Sequence, residues 1–113
     1  MEDCVFCKIA NKEIPSEIIS EDENFVIFKD INPKAPVHLL IIPKSHIGPV
    51  SSLRLSDEET IGRLILKAKE IAEKIGVSES GYRLVFNVGR DAGMEVSHLH
   101  LHLLAGKPLK FEF

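Results

Sequence analysis

One short segment constrains the fold of this chain more than any other part. Residues 98–104 read His-Leu-His-Leu-His-Leu-Leu, a strict alternation of polar and apolar side chains. Successive side chains of a β-strand point to opposite faces of the sheet, so an alternation with a period of two is typical of a strand. The segment predicts a strand over Ser97 to Ala105 that sends its leucines into a core and three imidazoles to the other face. Histidine is an uncommon residue, and it stands at three consecutive outward positions of this strand. A solvent-facing strand that carries these histidines by chance is therefore a poor explanation.

Other apolar stretches predict the remaining strands of an antiparallel sheet. Glu17 to Ser20 and Phe25 to Phe28 flank four polar residues, which favours a hairpin. Further strands are predicted at Val37 to Ile42 and at Tyr82 to Val88. The sequence therefore predicts a sheet of about five strands.

Two helices are predicted around these strands. A short one is expected between Cys4 and Lys12, and a long one between Ser56 and Gly76, where apolar residues recur at helical spacing. Ser56 and Glu59 have the spacing of a capping box at its start. Hairpins with one long helix between them favour an α+β fold, with the sheet covered on one face, over a doubly wound parallel sheet.

Size and charge limit the possible functions. The chain has 113 residues, of which 44% are apolar and 27% charged, so a single domain over residues 1–113 is expected. No apolar run reaches the roughly 20 residues that cross a bilayer, and the first residues lack the pattern of a secretion signal. We therefore expect a cytoplasmic protein without a membrane partner. A net charge of −3 without long charged runs argues against a nucleic-acid polymer as partner.

The three imidazoles of residues 98–102 suggest a division of labour. Along a strand they span about 13 Å, whereas a zinc ion needs each ligand nitrogen within about 2.1 Å, so they cannot easily share one ion. A central imidazole can instead attack phosphorus while its neighbours orient it, hold a metal or bind charge. With an ordinary pKa near 6.5, about three quarters of an imidazole is unprotonated at pH 7, and it needs only a fixed tautomer.

Donors for a phosphoryl group precede this segment. They are Asn87 and the amides of the turn Gly89 to Gly93, although such a turn is by itself more typical of a plain hairpin connection. Asp30 lies in a proline-containing loop, where it could be a turn residue or accept both hydroxyls of a ribose. His38 could be a hydrogen-bonded, half-buried histidine or belong directly to the site.

Cys4 and Cys7 form a Cys-x-x-Cys pair. Redox chemistry of the thioredoxin type would require a βαβ pattern that is not seen, so a structural metal site and plain packing remain as interpretations. Two thiolates need two further ligands to complete a tetrahedral zinc site. His46 and His98 are the candidates that leave the other two histidines of the triplet available.

The histidine segment resembles the signature of the histidine triad superfamily, His-x-His-x-His with apolar spacers. The resemblance to the Hint branch continues through most of the chain, including Cys4-Val-Phe-Cys-Lys-Ile, Phe28-Lys-Asp-Ile-Asn-Pro and Ala35-Pro-Val-His. It implies the histidine-triad α+β fold and a homodimer with a continuous sheet. The implied activity is hydrolysis of purine nucleoside 5′-phosphoramidates to a nucleoside monophosphate and an amine.

The resemblance also implies residue roles. His100 would be the nucleophile, the backbone carbonyl of His98 would fix its tautomer, and His102 and Asn87 would contact the phosphate. Asp30 would bind the ribose, and His38 would support the site. The base pocket would comprise Phe6, Phe28, Ile31 and Leu40. Gly93 and Glu95 are further candidate substrate contacts. A structural zinc ion would be held by Cys4, Cys7, His46 and His98.

Two residues depart from the family pattern. Met94 and Glu95 stand where relatives commonly have Gln and then Ser or Thr. A thioether donates nothing to a leaving group and a carboxylate disfavours an anionic one, so the pair favours an amine over a polyphosphate as leaving group. Alternatives are a nucleotidyl transferase, a dinucleoside polyphosphate hydrolase, and a zinc-stapled nucleotide-binding interaction module.

Overall fold

A computed structural model describes residues 4–110 of the chain. The first three residues, which contributed to the expectation about a secretion signal, and residues 111–113 lie outside the described residues. Among residues 4–110, no helix is long and apolar enough to cross a membrane.

The fold is α+β, as the sequence predicts. The described part of the chain contains two α-helices, α1 over Val5–Ala10 and α2 over Glu58–Lys74. One antiparallel sheet has the strand order β1-β2-β3-β5-β4. Its strands are β1 over Ile18–Glu21, β2 over Phe25–Lys29, β3 over Val37–Pro43, β4 over Tyr82–Val85 and β5 over Leu101–Ala105.

The main core lies between α2 and one face of the sheet. Leu99, Leu101 and Leu103 are at most 2% exposed there, so the predicted apolar half of the alternation is confirmed. They pack with the buried face of α2, which consists of Leu64, Ala68, Ile71 and Ala72.

The opposite face of the sheet is not bare, in contrast to the prediction of a sheet covered on one face. Helix α1 packs there, and its Phe6 and Ile9 contact an apolar patch of β2 and β3. This second layer matters for function, because α1 carries Cys7 at the end of the sheet where the histidine segment enters β5.

Both predicted strands flanking the turn Gly89 to Gly93 are too long. Strand β4 ends at Val85 and β5 begins at Leu101, so His98 and His100 precede the ladder and only His102 lies within it. For β5 the physical reason is Pro43 at the end of the neighbouring β3, which has no N–H to donate to it, while the Leu99 N–H bonds to the Ile47 carbonyl instead.

The predicted capping box of Ser56 and Glu59 does not form. Helix α2 begins at Glu58, and the carboxylate of Asp57 accepts a hydrogen bond of 2.9 Å from the N–H of Arg54. Glu59 instead pairs with Arg63 at 2.8 Å. The local turn over residues 54–57 therefore replaces the expected cap.

The outer edge of the sheet at β1 is rich in ion pairs. Glu21 pairs with Lys12 and with Lys44, and Lys29 lies 2.7 Å from Glu17. The adjoining turn is tied to α2, because Asp22 accepts from two backbone N–H groups and lies 2.8 Å from Lys67 Nζ. These contacts lower the pKa of Asp22 to about 2, against the opposing effect of burial.

Candidate active site

His100 lies at the entrance to β5 with its ring orientation fixed by the main chain. Its Nδ1 is 2.7 Å from the carbonyl oxygen of His98. A carbonyl only accepts, so Nδ1 carries the proton and Nε2 keeps its lone pair. The edge-on ring of Phe6, with a centroid 5.0 Å away, packs against the imidazole. The half-buried ring of His100 therefore offers one nucleophilic nitrogen in a defined direction.

His98 is completely buried, and its ring is held in the opposite tautomer. Its Nε2 donates to the carbonyl oxygen of Pro43 over 2.8 Å, which leaves the lone pair on Nδ1. Nδ1 lies 3.3 Å from Cys4 Sγ and 3.4 Å from Cys7 Sγ. Burial lowers the pKa of His98, although the Pro43 carbonyl opposes this effect, so the ring is a neutral acceptor facing the sulfurs.

Four predicted metal ligands meet beside His100. The ligand atoms of Cys4, Cys7, His46 and His98 all lie within 4.8 Å of one another, and His46 Nδ1 is 3.3 Å from Cys7 Sγ. A tetrahedral zinc ion would separate a sulfur from a nitrogen by about 3.6 Å, given its usual bond lengths. Burial, followed by the hydrogen bond with Cys4, raises the pKa of the Cys7 thiol. The donor set, spacing and His98 tautomer fit a structural zinc ion.

His102, the third imidazole, belongs to a different cluster. Residues His38 on β3 and His102 on β5 are diagonal neighbours on one sheet face, because Leu40 pairs with His102 and His38 with Leu104. His38 Nε2 lies 2.9 Å from His102 Nδ1 and 3.4 Å from Asp30 Oδ2. Burial, and then the positive charge of a protonated His100 or His38, lowers the pKa of His102 to about 4.

The cluster of Asp30, His38 and His102 is a hydrogen-bond chain. The N–H of Lys34 donates to His38 Nδ1 over 3.1 Å, so the neutral ring carries its proton on Nε2. Burial lowers the pKa of His38, which keeps this ring neutral. A metal ligand would need a lone pair on Nε2, so the arrangement does not suit an ion. His38 donates instead to His102 Nδ1, which leaves the proton of His102 on its outward Nε2.

Further predicted residues border a cleft beside His100. Asn87 and Met94 are both in its wall, whereas Glu95 is exposed and Gly93 adopts the left-handed conformation with φ +79° at the turn. Apart from His98, His100 and Asn87, the wall is apolar: Pro49, Val50, Phe86, Met94, Val96 and Leu99.

The predicted base pocket is only partly accessible. Phe6, Phe28 and Leu40 are at most 8% exposed and pack together in the smaller core, so they offer an incoming base little surface. Ile31 is 91% exposed beside Asp30 and is the apolar side chain available to a ligand at this end.

The sequence reasoning missed three main-chain groups. They are the Lys34 N–H on His38, the Pro43 carbonyl on His98, and the Ile47 carbonyl, which accepts from Leu99 N–H over 2.7 Å. No side-chain pattern could identify them, because every residue type presents a backbone carbonyl and every type except proline presents an N–H.

Comparisons with known proteins show which families this chain is similar to. A family model described as "Scavenger mRNA decapping enzyme C-term binding" matches residues 3–111. The purine nucleoside phosphoramidase of Escherichia coli (strain K12) is 46% identical over 108 residues, which is 96% of this chain and 91% of that protein.

Two solved structures are similar along nearly the whole chain. A HIT family hydrolase from Legionella pneumophila is 49% identical with a TM-score of 0.94, covering 96% of this chain and 97% of that one. A Zn-bound histidine triad family protein from Mycobacterium smegmatis is 32% identical with a TM-score of 0.82, covering 94% and 76%. With its alternating histidine segment, its five-stranded sheet and these relatives, the chain belongs to the histidine triad (HIT) superfamily.

Proposed function

We propose that this protein hydrolyses the P–N bond of purine nucleoside 5′-phosphoramidates, such as adenosine 5′-monophosphoramidate. The observation that carries the proposal is the bond from His100 Nδ1 to the His98 carbonyl, which presents Nε2 as a nucleophile. The name of the E. coli relative, identical at 46% of positions, supports the same activity.

The reaction runs in two displacements. His100 Nε2 attacks phosphorus, a P–N bond to His100 forms, and the bond to the amine breaks as the amine takes up a proton from solvent. Water then attacks phosphorus and releases a proton to solvent, the bond to His100 breaks, and the nucleoside monophosphate leaves. The Nε2–H of His102 and the amide of Asn87 donate to the phosphoryl oxygens as charge develops on them. His38 positions His102 for this task.

The side chains around His100 favour an amine leaving group. Those that line the small cleft beside it include Met94 and Val50 but no lysine or arginine. A polyphosphate leaving group would find no cation there, and the carboxylate of Glu95 lies on the neighbouring turn. The dinucleoside polyphosphate and transferase alternatives are therefore weaker.

Turnover of adenosine 5′-monophosphoramidate tests the proposal. Enzyme at substoichiometric concentration should release AMP continuously, whereas a nucleotide-binding interaction module would release none. Parallel reactions with diadenosine tetraphosphate, and with added phosphate acceptors, separate the hydrolase from its two enzymatic alternatives. Faster cleavage of the tetraphosphate, or AMP transfer to the acceptor in preference to water, would replace the proposal.

Asp30 should confer a preference for ribonucleotides over 2′-deoxynucleotides. Its Oδ1 accepts from Asn32 N–H over 2.8 Å, and we propose that the carboxylate also accepts the ribose hydroxyls. A hydrogen bond to a charged group contributes about 1.5 to 3 kcal/mol, or roughly 10-fold to 150-fold in kcat/KM.

Asp30→Ala should largely remove that preference, as measured by kcat/KM for matched ribo and deoxy substrates. Asp30→Asn is the matched control, since it keeps an acceptor for Asn32 while offering the ribose one oxygen instead of two. An equal preference in the parent protein and Asp30→Ala would return Asp30 to the role of a turn residue.

We propose structural zinc at the cluster of Cys4, Cys7, His46 and His98. Purified protein should contain about one zinc per chain, and the double variant Cys4→Ala, Cys7→Ala should lose it, measured by elemental analysis. The double variant should unfold at lower denaturant concentration but stay partly active, because all four tetrahedral positions are filled by protein. His102→Ala, in the other cluster, should retain its zinc. Protein that takes up no zinc would make the cysteines packing residues.

We propose a homodimer formed through the edge strand β4. Within residues 4–110 no strand pairs with the outer side of β4, and Leu84 on it is 36% exposed, as is Val88 just beyond it. Helix α2 also exposes Ile65 at 43% and Leu66 at 64%. The opposite edge at β1 carries ion pairs, which are a typical protection against edge pairing.

Leu84→Lys should therefore convert the dimer to a monomer in sedimentation velocity. Ile19→Lys on β1 is the matched control, because Ile19 is also 36% exposed but lies at the other edge. Dissociation by both variants or by neither would contradict an interface at β4.

A further inference from the structure

His98 belongs both to the metal cluster and to the anchor of the nucleophile. Its ring faces Cys4 Sγ at 3.3 Å and Cys7 Sγ at 3.4 Å. Its carbonyl oxygen accepts the 2.7 Å hydrogen bond from His100 Nδ1. One fully buried residue therefore connects the sulfur atoms to the ring that we assign as the nucleophile.

Among the described residues, the rings of His98 and His46 have only thiols as partners on this side when no metal is bound. Cys4 Sγ lies 3.3 Å from His98 Nδ1, and Cys7 Sγ lies 3.3 Å from His46 Nδ1. A thiol is a weak donor, so these contacts hold the two rings weakly. An ion coordinated by all four residues would hold both rings by stronger bonds.

The main chain beside His98 and the ring of His98 are both hydrogen-bonded to residues 43–47, the segment that carries the ligand His46. The Leu99 N–H donates to the Ile47 carbonyl over 2.7 Å, and the His98 ring donates to the Pro43 carbonyl over 2.8 Å. Residues 43–47 therefore carry both of these acceptors and the ligand His46. A shift of His46 would move its neighbour Ile47, whose carbonyl bonds to the peptide that joins residues 98 and 99, where the acceptor for His100 lies.

We propose that metal binding at the Cys4, Cys7, His46 and His98 cluster holds His100 in its reactive tautomer by fixing the carbonyl oxygen of His98. The cluster residues are thus positioning residues. If the His98 carbonyl became mobile, its hydrogen bond with His100 Nδ1–H would weaken. A fraction of the His100 rings would then carry the proton on Nε2 and lose the nucleophilic lone pair there. The catalytic consequence rests on the proposed function, whereas the tautomer effect does not.

Histidine side-chain nitrogen shifts test this directly. ¹⁵N-labelled protein loaded with zinc should show His100 as a single tautomer protonated at Nδ1. The same protein stripped by a chelator should show averaged or doubled His100 nitrogen signals. Stripping should also lower kcat for adenosine 5′-monophosphoramidate about 10-fold with KM unchanged, since nucleotide contacts are retained.

Cys4→Ser gives a second route to the metal-free state. Cys4 Sγ caps α1 by accepting from Cys7 N–H over 3.3 Å, and serine is a good N-cap residue, so the helix is preserved while a strong zinc ligand is removed. Asp22→Ala is the matched control, because it destabilises the hairpin and α2 away from His98. Cys4→Ser should alter the His100 signals, and Asp22→Ala should not.

Three results would overturn the proposal: no zinc uptake, an unchanged His100 tautomer after stripping, or an equal change in Asp22→Ala. A zinc-dependent tautomer in a protein that never hydrolyses phosphoramidates would support the link and reject the proposed function. Normal turnover of the phosphoramidate, together with a His100 tautomer that does not change with zinc, would support the proposed function and reject the link.

Discussion

His100→Ala is expected to reduce turnover of adenosine 5′-monophosphoramidate by more than about 10⁴-fold while AMP binding changes little. The imidazole forms the covalent bond to phosphorus, whereas ground-state contacts to the nucleotide come from other groups, so the loss falls on kcat. Steady-state kinetics and calorimetric titration with AMP separate the two effects. Turnover within tenfold of the parent protein would reject His100 as the nucleophile.

A chemical rescue distinguishes a missing nucleophile from a damaged fold. His100→Gly leaves space for added imidazole to take the place of the ring, so imidazole should restore part of the turnover in that variant. The parent protein should also form a nucleotidyl-histidine adduct, detectable by mass spectrometry after quenching without acid. Absence of the adduct under single-turnover conditions would indicate direct attack by water.

The stability of the fold should fall in acid because of His102. Burial lowers the pKa of His102 from an ordinary value near 6.5 to about 4, so between these values the unfolded chain binds a proton that the folded chain excludes. The contribution to stability is therefore complete above pH 6.5 and is lost as the pH falls toward 4. A difference of one bound proton between the unfolded and folded chains changes the free energy of unfolding by about 1.4 kcal/mol per pH unit where the pH dependence is steepest.

Urea unfolding at pH 7.5 and pH 4.5 measures this dependence. His102→Gln should lose less stability than the parent protein over that interval, with the slopes differing by up to about one proton. The pKa values of His38 and His98 are also lowered by burial, so the variant should retain some acid sensitivity. Equal slopes in parent and variant would show that His102 titrates normally in the folded protein.

The sequence could predict the fold because its strongest signals are local. Alternation in residues 98–104 assigned the leucines to the core, and helical spacing identified α2. The ends of the elements were predicted less well. The start of β5 depends on its tertiary neighbour Pro43, and a local hydrogen bond from Arg54 N–H to Asp57 competes with the expected cap of α2. The same limit applies to the site: the partners of His38 and His98 include backbone groups that carry no sequence signal.

The contacts that anchor His100 join the two ends of the chain, and this has a consequence for folding. Cys4 and His98 are 94 positions apart in a chain of 113 residues, and Pro43 and His98 are 55 apart. Contacts between distant positions require a large loss of chain entropy before they form, so they are late in folding compared with a local helix such as α2. During refolding, catalytic competence should therefore lag behind helical circular dichroism. On the ribosome, the nucleophile acquires its orientation only after β5 has emerged.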